Sequence, residues 1–276
     1  MRNSSISNQR SLKRFSSIKK ASKTIFLIFT TIILLGVLFE VFYQIRLKPA
    51  AYGKTYLEDL SAYLNQPELL KNIFFTTYRT ILGFIIAAIL GVVFGIIAGK
   101  NRKVDKTTQP SIDFLRALPS TAIIPIAALL IYNYSHLFII VFGSLWPILI
   151  NTIQGVKYVD KTTNNVIKQL HLPPIKRMMI FTLPEAFPEI VTGMKVSFAI
   201  SLILAITVEF IIPAGSGFYG LGKLLTNLSS SFEYRFMNFT VIIIGILGLI
   251  LNYIFASIER VIPWYKNQYH IQDTIS

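Results

Sequence analysis

The sequence predicts an all-α membrane protein with six transmembrane helices and both termini in the cytoplasm. Three observations lead there. Of 276 residues, 53% are hydrophobic and only 14% charged, against about 25% charged in a typical soluble chain. The charges vanish from long stretches, and the loops between those stretches alternate between basic-rich and basic-poor. With 21 Phe and 13 Tyr the chain is too apolar for a disordered basic protein. It has no Cys, which removes a disulfide framework and a thiolate metal site. A formal net charge of +14 on so apolar a chain has three readings: nucleic acid, anionic lipid, or charge sorted by membrane topology.

The spans follow from the charge-free stretches 24–39, 80–99, 117–156, 196–208 and 236–258. A helix crossing the hydrocarbon needs roughly 20 apolar residues, so 117–156 is long enough for two crossings. Polar Tyr132-Asn133-Tyr134-Ser135-His136 near its middle reads as a tight hairpin turn. Six spans result, near 24–45, 73–99, 118–133, 136–154, 190–212 and 236–259. The third is short and carries Pro119 and Pro125; prolines are tolerated inside a bundle, so it is read as a broken helix lining something. The first lacks a small-residue cleavage site and is read as a retained span rather than a signal peptide.

Loop charge orients the spans. The tail 1–23 carries Arg2, Arg10, Lys13, Arg14, Lys19, Lys20 and Lys23 without an acid. Segment 46–72 is nearly balanced, 100–118 is basic-rich, the turn at 133–136 is uncharged, and 155–189 is again basic-rich. By the positive-inside rule the basic segments are cytoplasmic. The +14 is then mainly topology and contact with anionic lipid, not a nucleic-acid footprint.

The connection 155–189 is too apolar for a polar linker. Residues 164–171 can form two helical turns with Val166, Ile167 and Leu170 on one face, stopped by Pro173-Pro174. Pro174 opens a second short helix through Phe181, expected to end at Pro184. An amphipathic helix between spans buries its apolar face in the bilayer interface, in the protein's own underside, or in a groove on a cytoplasmic partner. Amphipathicity alone favours the first two.

Here the residues resemble a family. A helix-forming loop followed by Gln169-Leu170, Ile180, Leu183-Pro184, Pro188 and Thr192-Gly193 is similar to the cytoplasmic E-A-A signature of binding-protein-dependent ABC importer permeases. Arg79 with Gly83, Gly91, Gly95 and Gly99 resembles that family's small-residue second span. Asp113 to Pro119 with Pro125 resembles its R-x-x-P segment. Pro147 to Thr152 with Gly155-Val156 resembles the end of its fourth span, and Glu209 with Gly215, Gly217 and Gly220-Leu221-Gly222 the end of its fifth. The set covers roughly 70–260, and the subgroup it most resembles handles nitrate, aliphatic sulfonates, taurine and some vitamin precursors. The family's Glu-Ala-Ala falls on Asn165-Val166-Ile167, and its following Gly on His171. Docking there would rest on apolar contacts and on Lys168, Lys176 or Arg177, with Pro173-Pro174 supplying the turn.

The resemblance implies a type I ABC importer permease: a membrane subunit, not an enzyme and without cofactor or metal, in a bacterial plasma membrane. Its implied partners are cytoplasmic ABC ATPase subunits, an extracytoplasmic substrate-binding protein, a second permease copy as a homodimer, and the lipid bilayer. The domains read as a basic tail 1–23, a first span 24–45, a permease core 73–260 with coupling loop 155–189, and a tail 261–276. The coupling helix would be 163–172, and Asn165, Val166, Ile167, Leu170, His171, Leu183 and Pro184 would contact the ATPase. The chain lacks G-x-x-x-x-G-K-[ST], so nucleotide is expected on the partner. The Gly repeat of the second span, spaced by four, describes a small-xxx-small packing face.

Glu40 is close enough to the end of the first span to reach the interface, while Arg79 and Glu209 fall inside spans. A charge at such depth costs about 2.5–3.5 kcal/mol on insertion scales and requires a partner or a wet cavity. Their similar depths predict that they pair across the second and fifth spans. With Asn151 they are the candidates for a translocation pathway; Thr152, Ser144, Ser197, Ser201 and Thr207 are alternative polar lining. An intramembrane enzyme would need a convergent acid–base or metal set, and no H-E-x-x-H exists. A secondary transporter, or a permease for a vitamin precursor, are the alternatives to import of a small anionic solute.

Overall fold

The computed structural model describes residues 34, 36–38, 41, 56–131, 134–158, 173–212 and 217–261, and among them all regular structure is helical. The helices are α1 (Tyr56–Leu64), α2 (Pro67–Lys100), α3 (Arg102–Ala117), α4 (Ser120–Leu130), α5 (Ser135–Lys157), a continuous rod α6 (Pro174–Ile211), α7 (Leu221–Ser230) and α8 (Tyr234–Val261). Of the expected first span only 34, 36–38 and 41 are described; they are helical, and Gly36 lies against Ile242 of α8. The loop helix at 163–172, with Asn165, Val166, Ile167, Leu170 and His171, lies outside the described residues.

Three helices form the centre. Along α2 the glycines sit in a register four residues apart, and each meets α5: Gly83 abuts Ile140, Gly91 Ile148, Gly95 Thr152 and Gly99 Val156. Both series rise together, so α2 and α5 run parallel. The missing Cβ atoms let the two backbones approach, which is how helices associate where water supplies no hydrophobic drive. The packing role expected of the glycine repeat is therefore what it performs. The α6 rod runs antiparallel to α5, with Gly155 against Ala186, Gly193 against Asn151 and Pro147, and Gly143 against Leu204. Ile139, Ile140, Leu204, Ala205 and Val208 bury the α5–α6 seam together with Ile124 and Ala127 of α4.

Because α2 and α5 run parallel, the chain between them must return from the Lys100 end to the Ser135 end. α3 starts on Asn101, whose side chain accepts a hydrogen bond from Lys103 N at 2.9 Å, and stops at Leu118 because the following Pro119 disfavours helical backbone there. After a bend of 89°, α4 sets out beside Gly143, where Ser120 touches it. The expected third span 118–133 is thus only the 11-residue α4, about 16 Å long at 1.5 Å per residue, too short to cross about 30 Å of hydrocarbon alone. It forms one bent pair with α3, the helix that carries the basic-rich segment 100–118.

The fifth span also differs from expectation. Pro184 does not end a separate short helix, and the span does not begin near 190. The α6 rod runs unbroken from Pro174, through Pro184 and Pro188. A π-helical turn at Met178–Thr182, in which Leu183 N bonds Met178 O, precedes Pro184. Widening the helix by one residue there removes the clash that a proline ring makes with the carbonyl four residues earlier. α5 likewise begins at Ser135 and takes in His136, the last residue of the expected hairpin turn.

The end of the bundle where α2 begins, here the Pro67 end, is closed by α1, α7 and the start of α8. Tyr63, Leu69, Leu221 and Phe239 are buried together. Asp59 and Arg235 form a buried ion pair at 2.6 Å, and Tyr63 shares a 2.5 Å hydrogen bond with Thr240.

Candidate functional site: a buried ion pair beneath the 217–222 turn

The site is built by the end of α6. Pro213 follows Ile212 and holds it extended (ψ 120°), which stops the helix one turn after Glu209. The chain re-enters the described residues at Gly217, whose φ of +87° is the left-handed region that glycine occupies without strain. It then lays 218–222 back across the Glu209 side chain. Gly220 has to be glycine for space: a Cβ there would stand 2.5 Å from the carboxyl carbon of Glu209.

Glu209 is fully buried, yet both carboxyl oxygens are held. Arg79 Nη1 donates to Oε1 at 2.7 Å. The Thr76 hydroxyl donates to Oε2 at 2.7 Å, and Gly222 N reaches the same oxygen at 3.2 Å. Thr76 in turn accepts from Leu221 N at 2.8 Å. Asn72 accepts from Gly220 N at 2.7 Å. Arg79 Nη1 also donates to Tyr219 O at 2.7 Å. Leu221 N and Gly222 N are among the first amides of α7, which have no partner inside their own helix. The side chains of α2 and α6 satisfy them, and the carboxylate lies at the positive end of the α7 dipole. A lone buried charge would be prohibitive; a fully hydrogen-bonded pair is not.

An aromatic wall surrounds the arginine. Its guanidinium carbon lies 4.1 Å from the Phe218 ring centre and 5.6 Å from that of Phe75. Tyr219 stacks on Phe75, centres 5.8 Å apart. Lys71 stands over Tyr219 at 5.3 Å, and His136 packs on Phe218 at 4.8 Å.

The pairing of Arg79 with Glu209 across two helices is thus formed. Asn72, Thr76, Phe218 and Tyr219 escaped the sequence reading, although Asn72, Thr76 and Thr80, spaced by four on one face of an apolar helix, were a usable signal. Asn151 stands elsewhere: it donates to Pro147 O at 2.8 Å and lies beside Gly193, about 24 Å down α6 from Glu209 at 1.5 Å per residue. Ser144, Thr152, Ser197 and Ser201 are sealed in helix contacts and do not line a lumen; the Ser144 and Ser201 hydroxyls donate to carbonyls of their own helix. Thr207 is half-buried and likewise bonded to Ile203 O. Leu183 and Pro184 stand half-buried where the π turn meets the rest of α6. Among the described residues no three His, Asp or Glu gather to hold a metal ion.

Helices fit to cross a membrane, closed at one end by a turn that a buried ion pair anchors, describe a polytopic membrane protein. The chain belongs to the family described as binding-protein-dependent transport system inner membrane component, whose signature matches residues 91–263. It is 32% identical over 207 residues to the bicarbonate transport system permease protein CmpB of Synechococcus elongatus, covering 73% of each chain. It is 30% identical to the nitrate import permease protein NrtB of Leptolyngbya laminosa, over 67% of this chain and 66% of that one. With the putative aliphatic sulfonates transport permease protein SsuC of Bacillus subtilis it shares 26% over 73% and 72%. Its fold is that of solved importers: an inward-facing structure of the MetNI methionine ABC transporter matches with TM-score 0.59 and 15% identity, over 70% of this chain and 95% of that one. An amino acid ABC transporter with histidines matches with TM-score 0.60 and 16% identity, over 76% and 100%. The protein is accordingly a permease subunit of an ABC importer in the plasma membrane. It works with a separate ATPase and a substrate-binding protein, and is itself a transport component rather than an enzyme.

Proposed function

We propose that this permease imports a small anion delivered by its extracytoplasmic binding protein. The observation that carries this reading is the set of relatives, whose names specify bicarbonate, nitrate and aliphatic sulfonates, all compact oxyanions. Arg79, a half-buried basic residue among apolar helices, supports it as the attractive element of the pathway, with Glu209 as its counter-ion and Asn151 a further polar position.

In this reading the Pro67 end faces outward and both termini are cytoplasmic, as the basic tail and the basic-rich 100–118 and 155–189 segments favour. The organisation is a basic tail 1–23, a first span 24–45, a core 73–260 with its coupling loop at 155–189, and a tail 261–276. A second copy completes a homodimer. The coupling helix 163–172 inserts Val166, Ile167 and Leu170 into the ATPase, flanked by Asn165 and His171, while Leu183 and Pro184 carry its displacement into α6.

Reconstitution with ATPase and binding protein in proteoliposomes tests the reading. ATP-dependent uptake of nitrate, bicarbonate or a sulfonate is expected. Uptake confined to neutral or cationic solutes, or independent of ATP, would sink it.

A further inference from the structure

Arg79 uses little of its guanidinium. Both of its hydrogen bonds, to Glu209 and to Tyr219 O, leave from Nη1. A guanidinium carries five N–H donors, so the Nη2/Nε edge is still available. The arginine keeps 16% of its side chain exposed while Glu209 keeps none. Beside it, His136 Nε2 is buried without a hydrogen-bond partner among the described residues, the kind of group that calls for an explanation. Arg79 and His136 rest on the same Phe218 ring. The wall completed by Phe75 and Tyr219 carries two cations, Lys71 and Arg79, and one carboxylate, Glu209, bonds directly to Arg79.

Resting on the reading of a small anionic solute, we propose that the Pro67 end holds an oxyanion-binding site. It is formed by the Nη2/Nε edge of Arg79 and Nε2–H of His136 against Phe218, while Glu209 keeps its bond to Nη1 and offsets part of the arginine's charge. Two parallel N–H groups on one edge of a guanidinium match two oxygens of a trigonal anion; the third oxygen is left for the imidazole. Glu209 also has partners of its own, since Thr76 and Gly222 N hold its Oε2 independently of Arg79.

The test uses the permease assembled with its ATPase in lipid nanodiscs, without binding protein, titrated calorimetrically with sodium nitrate, sodium bicarbonate and sodium methanesulfonate. At least one probe binds the unmodified complex. Glu209→Gln, which removes the offsetting charge, tightens binding about tenfold or more. Arg79→Lys, which loses the fork, weakens it by a similar factor. His136→Ala, which lies outside the ion pair and decides the matter if either of those variants fails to assemble, weakens it several-fold at an unchanged unfolding temperature. A pair that only fixes packing predicts the opposite: stability moves in the first two variants and anion affinity in none. Absence of binding by every probe, or unchanged affinity in both Glu209→Gln and His136→Ala, overturns the site. ATP-driven uptake by the unmodified transporter separates the two ideas. Uptake of an anion without these effects leaves the solute reading standing and removes the site. Binding without any anion uptake removes the solute reading alone.

Discussion

Gly220 lies directly on the carboxyl group of Glu209, so close that a β-carbon at 220 would stand 2.5 Å from Glu209 Cδ and from its Oε2. The contact sets where α7 starts, since the next two amides hydrogen-bond to Thr76 and to Glu209. Gly220→Ala is therefore expected to destabilise the subunit by about 1–3 kcal/mol through overpacking. Its backbone φ of 168° is ordinary extended geometry, so the loss comes from space alone. Thermal unfolding of the detergent-solubilised complex measures it; an unchanged transition would show that the turn does not rest on the carboxylate.

The α2–α5 seam makes a paired prediction. A β-carbon at Gly95 would come 2.5 Å from Thr152 Cβ. Gly95→Ala should lower stability by about 1–3 kcal/mol, and adding Thr152→Gly to the same chain should recover a large part of it. Strict additivity of the two single effects would mean that the helices do not touch there.

Asp59 and Arg235 are both almost fully buried at the Pro67 end. Removing one partner breaks this buried pair, so Asp59→Ala is expected to cost about 3–5 kcal/mol. The double variant Asp59→Leu with Arg235→Met should cost less than Asp59→Ala. Chemical unfolding of the three proteins makes the comparison, and a double variant worse than the single one would contradict it.

Tyr63 predicts a pH dependence. Burial pushes its hydroxyl above the ordinary 10.0, outweighing the opposing hydrogen bond to Thr240. The folded state thus prefers the neutral phenol. Its contribution is complete below pH 10 and is lost as pH rises through the higher folded value. Tyr63→Phe should reduce the fall of unfolding temperature above pH 10; an identical alkaline profile in both proteins would refute the assignment.

Leu170 tests the coupling loop. Leu170→Asp places a charge on the face proposed to enter the ATPase and should abolish transport while ATP hydrolysis continues. Parallel assays of phosphate release and solute uptake in proteoliposomes decide it, and unchanged uptake would dismiss the helix at 163–172 as the contact.

Much of this protein was legible along the chain. Runs without charge located the long helices, since burial in lipid forbids unpaired charge whatever the fold. The glycines of α2, spaced by four, announced a helix contact because only close backbones need them. Even the Arg79–Glu209 pair could be expected, because two buried opposite charges at similar depth have few other partners. What periodicity could not reach was how breaks are absorbed. Pro184 reads as a stop, yet the π turn at Met178–Thr182 carries the helix through it. The prolines near 119–125 mark a break but not an 89° bend, whose direction is fixed by Ser120 seating beside Gly143. Nor could local sequence foresee that Thr76 and Gly222 N would meet on Glu209 while Asn72 and Thr76 take the amides of Gly220 and Leu221. Asn72 and Thr76 are more than a hundred residues from Glu209 and 220–222, and only the parallel docking of α2 on α5, with α6 antiparallel beside it, brings them to one point. Composition and charge decided that this chain lives in a membrane, and motif order decided its family. Tertiary structure alone decided which polar groups are spent on packing and which arginine edge is left free, because hydrogen-bond satisfaction is settled between helices and not within them.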